Sequence, residues 1–323
     1  MTVSSRGARI LFHRSHRAER LIVAVAALLL WLAPGTAAAQ DLEPRRWTHL
    51  PMNLNIVGAG LAAIDGDITF DPVLRIEEGT FELYTAGSSY IRTFEWLGKS
   101  SRIDFRVPYG YGRWEGLLDG APASVRRHGL MDPRIRLSMN LWGAPPLSGK
   151  AWFDYHAQHP VNTTVGIGAT LVLPLGEYLE DRLINLGQNR YALRPHIGVL
   201  HTRGPWQFEL TGSLSFYGDN DAFYGGTRLE QDWLGFLQAH VIRTFARGIW
   251  GSLTTGYSFG GEARINGVPK NNEERTRYFA VNFGVPLTRA QSVKLTWVNA
   301  ETNVLLGTSS NSVLVGWSVA WGE

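Results

Sequence analysis

With 323 residues, 18% charged side chains, no cysteine, 36 glycines, 12 tryptophans and 11 tyrosines, the chain suits neither a disulfide scaffold nor a typical cytosolic enzyme. Its formal charge of +3 is concentrated at the N-terminus, where Arg6, Arg9, Arg14, Arg17 and Arg20 face Glu19 alone; the rest holds 26 basic and 27 acidic residues, and no nucleic-acid partner is expected. Length alone permits two globular domains or one closed barrel.

The first element reads as an export signal. A basic stretch precedes an apolar run from Leu21 to Leu32, a break at Pro34-Gly35 and the small residues Ala37-Ala38-Ala39 before Gln40. Residues 1–39 are the expected signal peptide, cleaved after Ala39. A retained membrane anchor would need about 20 apolar residues, and this run has 12. Residues 40–52 are expected to form a short periplasmic N-terminal segment, and 53–323 an outer-membrane β-barrel.

Beyond Gln40 the longest apolar candidate, 161–176, is interrupted by Asn162 and Pro174, so any membrane crossing must be made by strands. Period-two alternation marks them in order. Segments 53–63 and 81–94 are rich in Gly, Ala, Ser and Tyr, and neither face of either is decisively apolar. Segments 103–111, 135–141, 165–173 and 193–199 follow. The clearest is 206–217, where Trp206, Phe208, Leu210, Leu214 and Phe216 alternate with Gln207, Glu209, Thr211, Ser213 and Ser215. Then come 237–241, 249–259, 279–287, 293–297 and 312–321. The expected fold is all-β: a closed antiparallel up-and-down transmembrane barrel of about twelve strands.

Connection lengths alternate as such a barrel requires. Those at 97–100, 203–205, 246–248 and 288–291 are tight, whereas 112–133, 176–191, 218–232 and 260–274 are long and polar. The connection 142–162 breaks the rule and is read as a small plug or a periplasmic helix. An even strand count puts both termini in the periplasm. Trp96, Trp114, Trp142, Trp206, Trp233, Trp250, Trp317 and Trp321 lie near strand ends, where interfacial girdles belong. A soluble β-sandwich would also alternate, but with its apolar face inward.

If the apolar parity meets lipid, the other parity lines the lumen: Arg102, Asp104, Arg106, Arg134, Arg136, Arg194, His196, Glu209, Gln238, His240, Asn282 and Lys294. Six of these are Arg or Lys against two acids, a surplus suited to anionic or aromatic solutes through charge pairing and cation–π contact. The alternative is a closed lumen whose charges pair across strands, Asp104 with neighbouring arginines and Glu209 with Arg194.

The expected function is therefore an outer-membrane channel or facilitated-uptake protein for small aromatic or anionic organic solutes, not an enzyme. A structural or ligand-binding barrel is the alternative. A lipid hydrolase is a third reading, weakened because His196 and His240 have lumen parity and no His-x-Ser or Gly-x-Ser-x-Gly sequence occurs. Asp219-Asn220-Asp221 reads as turn chemistry rather than a calcium loop. No metal or cofactor is expected. Partners would be outer-membrane lipid, the barrel-assembly machinery and the solute.

Five runs carry a family resemblance: Val107-Pro108-Tyr109-Gly110, Asp132 to Leu137, Pro174 to Tyr178, Leu183 to Arg190 and Asp219 to Gly226. From about Leu50 to Trp321 the chain resembles the meta-pathway phenol-degradation family of exported, transporter-like outer-membrane proteins. The resemblance implies a barrel that helps hydrophobic or aromatic growth substrates across the outer membrane. It supplies no catalytic residues. The chain departs from the barrel habit of an aromatic last residue, since Gly322 and Glu323 follow Trp321.

Overall fold

The computed structural model describes residues 42–70, 75–304 and 306–322; the export signal and its cleavage site lie outside the described residues. Chain order runs β1 (Asn55–Thr69), β2 (Ile76–Trp96), β3 (Lys99–Leu118), β4 (Ala121–Leu130) and β5 (Arg134–Trp142), then helix α1 (Gly149–Gln158). Next come β6 (Val161–Val172), β7 (Ala192–Arg203), β8 (Trp206–Tyr217), and the short β9 (Asn220–Phe223) and β10 (Thr227–Gln231). The remainder is β11 (Leu234–Ala246), β12 (Ile249–Gly260), the short β13 (Ala263–Ile265) and β14 (Val268–Pro269), β15 (Glu274–Pro286), β16 (Gln291–Thr302) and β17 (Gly307–Trp321).

Twelve strands, one for each alternating segment, form the barrel: β1, β2, β3, β5, β6, β7, β8, β11, β12, β15, β16 and β17. Each is antiparallel to its neighbours, and β1 closes on β17 from Asn55 opposite Trp321 to Thr69 opposite Gly307. Closure leaves no open edge among these twelve strands, the condition for a sheet to survive in hydrocarbon.

The two faces are inverted relative to a soluble protein. Along β8, Trp206, Phe208, Leu210, Leu214 and Phe216 are exposed while Glu209, Thr211 and Ser215 are buried. The same parity puts Phe279, Val281 and Phe283 outside, and Ala280 and Asn282 inside. It also settles the first two strands: Leu61 and Tyr84 face out, Ala62, Phe81 and Leu83 face in. An apolar exterior around a largely polar interior is a lipid-facing barrel, not a sandwich.

The long connections are more ordered than loops. Residues 112–133, read as a long polar connection, continue β3 into a hairpin with β4 turned at Asp119-Gly120, whose φ angles of 51° and 77° are those of a type I′ turn. At 20 residues β3 exceeds the roughly 10 residues a tilted strand needs to cross a membrane, so the hairpin projects beyond it. Pro108 marks the departure: before it β3 pairs with β5, after it with β4, consistent with a ring nitrogen that cannot donate to a ladder. Connections 218–232 and 260–274 supply β9, β10, β13 and β14, which form a separate four-stranded sheet. The exception at 142–162 contains α1, at the tight-turn end that faces the periplasm in bacterial barrels.

Two of the expected girdle tryptophans belong elsewhere. Trp250 has inward parity and lies under the Arg45 guanidinium at 5.3 Å. Trp114 sits on the projecting hairpin, stacked on Phe81 with ring centroids 6.4 Å apart.

Candidate functional site: a plugged lumen and its outer vestibule

Residues 42–52, expected to lie in the periplasm, are folded into the lumen. The reason is visible residue by residue. Leu42 completes an apolar island with Phe236, Tyr278, Ala280, Val298 and Ala300. The Glu43 carboxylate accepts two bonds of 2.8 Å from Arg106 Nη2 and one of 2.8 Å from Arg136 Nη1, with Arg46 Nη2 at 3.6 Å. Burial works to raise this carboxyl, but Arg106, Arg136, Arg46 and Arg102 together carry it well below the ordinary carboxylate value.

Trp47 is wholly buried. Its Nε1–H donates to Thr211 Oγ1 at 2.8 Å, and its ring lies 5.5 Å from that of His196. The wall is cut to receive it. A Cβ at Gly166 would stand 2.1 Å from Trp47 Cε3, and one at Gly198 would stand 2.0 Å from Nε1, so inward-facing glycine is required at both strand positions.

Below Trp47 the segment is fastened to the tight-turn end. His49 Nε2–H donates to the Pro145 carbonyl at 2.7 Å, and its ring packs 6.1, 5.5 and 5.0 Å from those of Trp152, Tyr155 and His156 on α1. The Met52 N–H donates to Leu147 O, and Thr93 Oγ1 donates to Pro51 O while accepting from Leu54 N–H. The helix in the unusual connection therefore caps the plug rather than being one.

The lumen-parity residues divide into groups. Arg102, Asp104, Arg106, Arg136, His196 and Glu209 surround the plug on β3, β5, β7 and β8. Asp104 forms a buried ion pair with Arg136 and lies 3.6 Å from Arg102 Nε. Glu209, paired with Arg194 in the closed-lumen alternative, bonds elsewhere: its Oε1 accepts the Arg46 backbone N–H at 3.2 Å, and Arg194 Nε donates to Ser215 Oγ at 2.9 Å. Across the lumen the groups are neutral, with His240 between Thr254 Oγ1 and Gln238 Oε1 and with Thr296 donating to Asn282 Oδ1. Lys294 lies on β16, opposite Gly316 and Gly284.

Arg134 and Arg194 line a vestibule of about 930 Å³ on the outer side of the plug, with Lys270, Asp132 and Glu274. Its walls also carry Leu83, Leu183, Leu186, Leu229, Tyr217 and Tyr278. The connections around it are cross-tied by the motif residues. Asp132 accepts from Gly176 N–H at 3.0 Å and Gln188 N–H at 2.8 Å. Buried Asn220 donates to Tyr178 Oη and Gln188 O and accepts from Asn189 Nδ2–H. Turn and loop geometry thus accounts for Asn220 in the Asp-Asn-Asp run.

Among solved structures, an outer membrane channel from Pseudomonas putida F1 matches with a TM-score of 0.73 at 19% identity, over 87% of this chain and 100% of that one. The transport unit of the autotransporter AIDA-I from Escherichia coli matches with a TM-score of 0.49 at 8% identity, over 94% and 98%. No curated protein sequence matches the chain. The model of the family described as "Putative MetA-pathway of phenol degradation" matches residues 65–318. The chain belongs to that family, and its fold is that of an outer-membrane β-barrel.

Proposed function

We propose that this chain is an outer-membrane channel for small aromatic or anionic organic solutes, exported behind a cleaved leader and inserted by the barrel-assembly machinery. Its work is passage rather than catalysis. The observation that carries this reading is the vestibule: about 930 Å³ is ample for a one-ring compound, and its lining sets arginines beside leucines and tyrosines. Such a lining accommodates a ring on its apolar walls and a carboxylate or phenolate at Arg134 or Arg194. The family resemblance to phenol catabolism and the channel described for the Pseudomonas structure point the same way.

A filled lumen favours a second reading, a barrel that binds its ligand without passing it. Liposome swelling separates the two. With purified protein, benzoate should enter faster than a neutral sugar of similar size, and Arg134→Ala with Arg194→Ala should slow benzoate several-fold without changing the sugar. Equal and negligible rates for both solutes would leave the binding reading in place.

A further inference from the structure

The vestibule has two chemically different walls. Arg134 opens β5 and Glu274 opens β15, each after a long outer connection, and both line the cavity. In the ring of twelve strands β5 and β15 stand six places apart in either direction, so the guanidinium and the carboxylate enter from opposite sides. Arg194, on β7, is two strands from β5 and belongs to the arginine side. With strands about 4.8 Å apart and tilted by about 40°, such a ring measures about 24 Å between opposite backbones. An arginine reaching in from one side and a glutamate from the other leave a gap on the scale of one substituted ring.

The carboxylate is held in place and only half used. Glu274 Oε1 accepts from Ser258 Oγ and, at 3.2 Å, from Tyr278 Oη, which fixes the side chain against β12 and β15. Oε2 accepts from none of the described residues, although a carboxylate can take about four hydrogen bonds. Asp132, the other carboxylate of the lining, is occupied by the Gly176 and Gln188 N–H groups. Lys270 lines the cavity from the connection before β15 and adds to the arginines' attraction for an anion. A solute that matches both walls therefore carries an anionic group at one end of an apolar ring and a hydrogen-bond donor at the other.

We propose that the vestibule selects aromatic monocarboxylates bearing a hydroxyl across the ring, with the carboxylate at Arg134 and Arg194, the ring on the leucine-lined walls and the hydroxyl donating to Glu274 Oε2. Glu274 sets the preference, because the same oxygen that accepts from a hydroxyl repels a second carboxylate. The assignment rests on the aromatic-solute reading of the vestibule given above.

Titration calorimetry on the purified barrel in detergent at pH 7 tests it with three probes: 4-hydroxybenzoate, benzoate and terephthalate. The hydroxylated acid should bind about ten-fold tighter than benzoate, the factor that one hydrogen bond to a charged acceptor supplies, and terephthalate should bind more weakly than benzoate. Glu274→Gln keeps the shape of the side chain and an oxygen for Ser258 and Tyr278. It should shrink the hydroxyl preference and bring terephthalate level with benzoate, while benzoate itself stays within about two-fold. Equal affinities for the three probes in the unaltered chain, no binding of any of them, or an order that survives Glu274→Gln would overturn the assignment. Liposome swelling with the same probes keeps its failure apart from that of the channel reading. The expected binding order without entry of any solute would sink the channel alone, and entry without that order would sink this assignment alone.

Discussion

The two halves of the lumen wall solve the same problem by different means. Strands β11, β12, β15 and β16 bury Gln238, His240, Thr254, Asn282 and Thr296, neutral groups that bond to one another within a strand or across neighbouring strands. The wall of β3, β5, β7 and β8 buries Asp104, Arg136, His196 and Glu209 beside a half-buried Arg102, and needs Glu43, Arg46 and Trp47 from the N-terminal segment to complete it. Neutral groups can be satisfied within a sheet, whereas a surplus of guanidiniums calls for an opposite charge from outside it. The plug is therefore a structural component of one half of the wall and a neighbour of the other.

Removing the charge that joins them should have the largest effect. Glu43→Ala leaves Arg106 and Arg136 without the carboxylate that bridges them, a change that costs about 3–5 kcal/mol when one member of a buried pair is lost. Most of that cost falls on the docked state, so single-channel conductance in planar bilayers should rise several-fold. Gln238→Ala in the neutral wall should leave conductance near its original value. If both variants conduct alike, the asymmetry between the halves is not what holds the plug.

That asymmetry was only half legible in the sequence. Period-two segments disclosed all twelve strands, because a lipid-facing face admits few exceptions to apolar side chains. The inward arginines were equally visible, but their partner was not: residues 42–52 have no periodicity, and a segment held by side-chain contacts leaves no repeating signal. Two clues pointed to it. Arg102, Arg106, Arg134, Arg136, Arg194 and Lys294 outnumber Asp104 and Glu209, which calls for an acid elsewhere, and Gly166 and Gly198 interrupt inward faces where a bulky group must approach. The β3–β4 hairpin was hidden differently. Its Asp119-Gly120 turn signal was present, but Gly112 and the polar run after it read as loop.

Gly198→Val should produce the next largest effect by shape alone. Valine suits a strand, so the barrel should still form, but its Cβ would lie where Trp47 Nε1 now sits. Expelling a buried tryptophan costs about 3 kcal/mol, and the expected readouts are red-shifted tryptophan fluorescence and protease cleavage within residues 42–52. An unshifted spectrum with an intact N-terminal segment would mean that the wall, rather than the plug, yields.

The smallest effect belongs to an anchor in neither half. His49 faces the Pro145 carbonyl, Trp152, Tyr155 and His156, and burial lowers its pKa to about 4, against the hydrogen bond to Pro145 and with the help of His156. No carboxylate stands among these contacts. The folded value lies below the unfolded one, so docking is unaffected well above pH 6.5 and is progressively weakened as pH falls toward 4, where the free segment takes a proton that the docked segment refuses. At pH 5 the loss is about 2 kcal/mol. Glu43 adds nothing in this window, because its stabilising contribution is lost only below the ordinary carboxylate range. Conductance should therefore climb between pH 7 and pH 5 in the unaltered chain and stay flat in His49→Asn. A climb that persists in the variant would assign the acid response to the charged wall instead of the α1 contact.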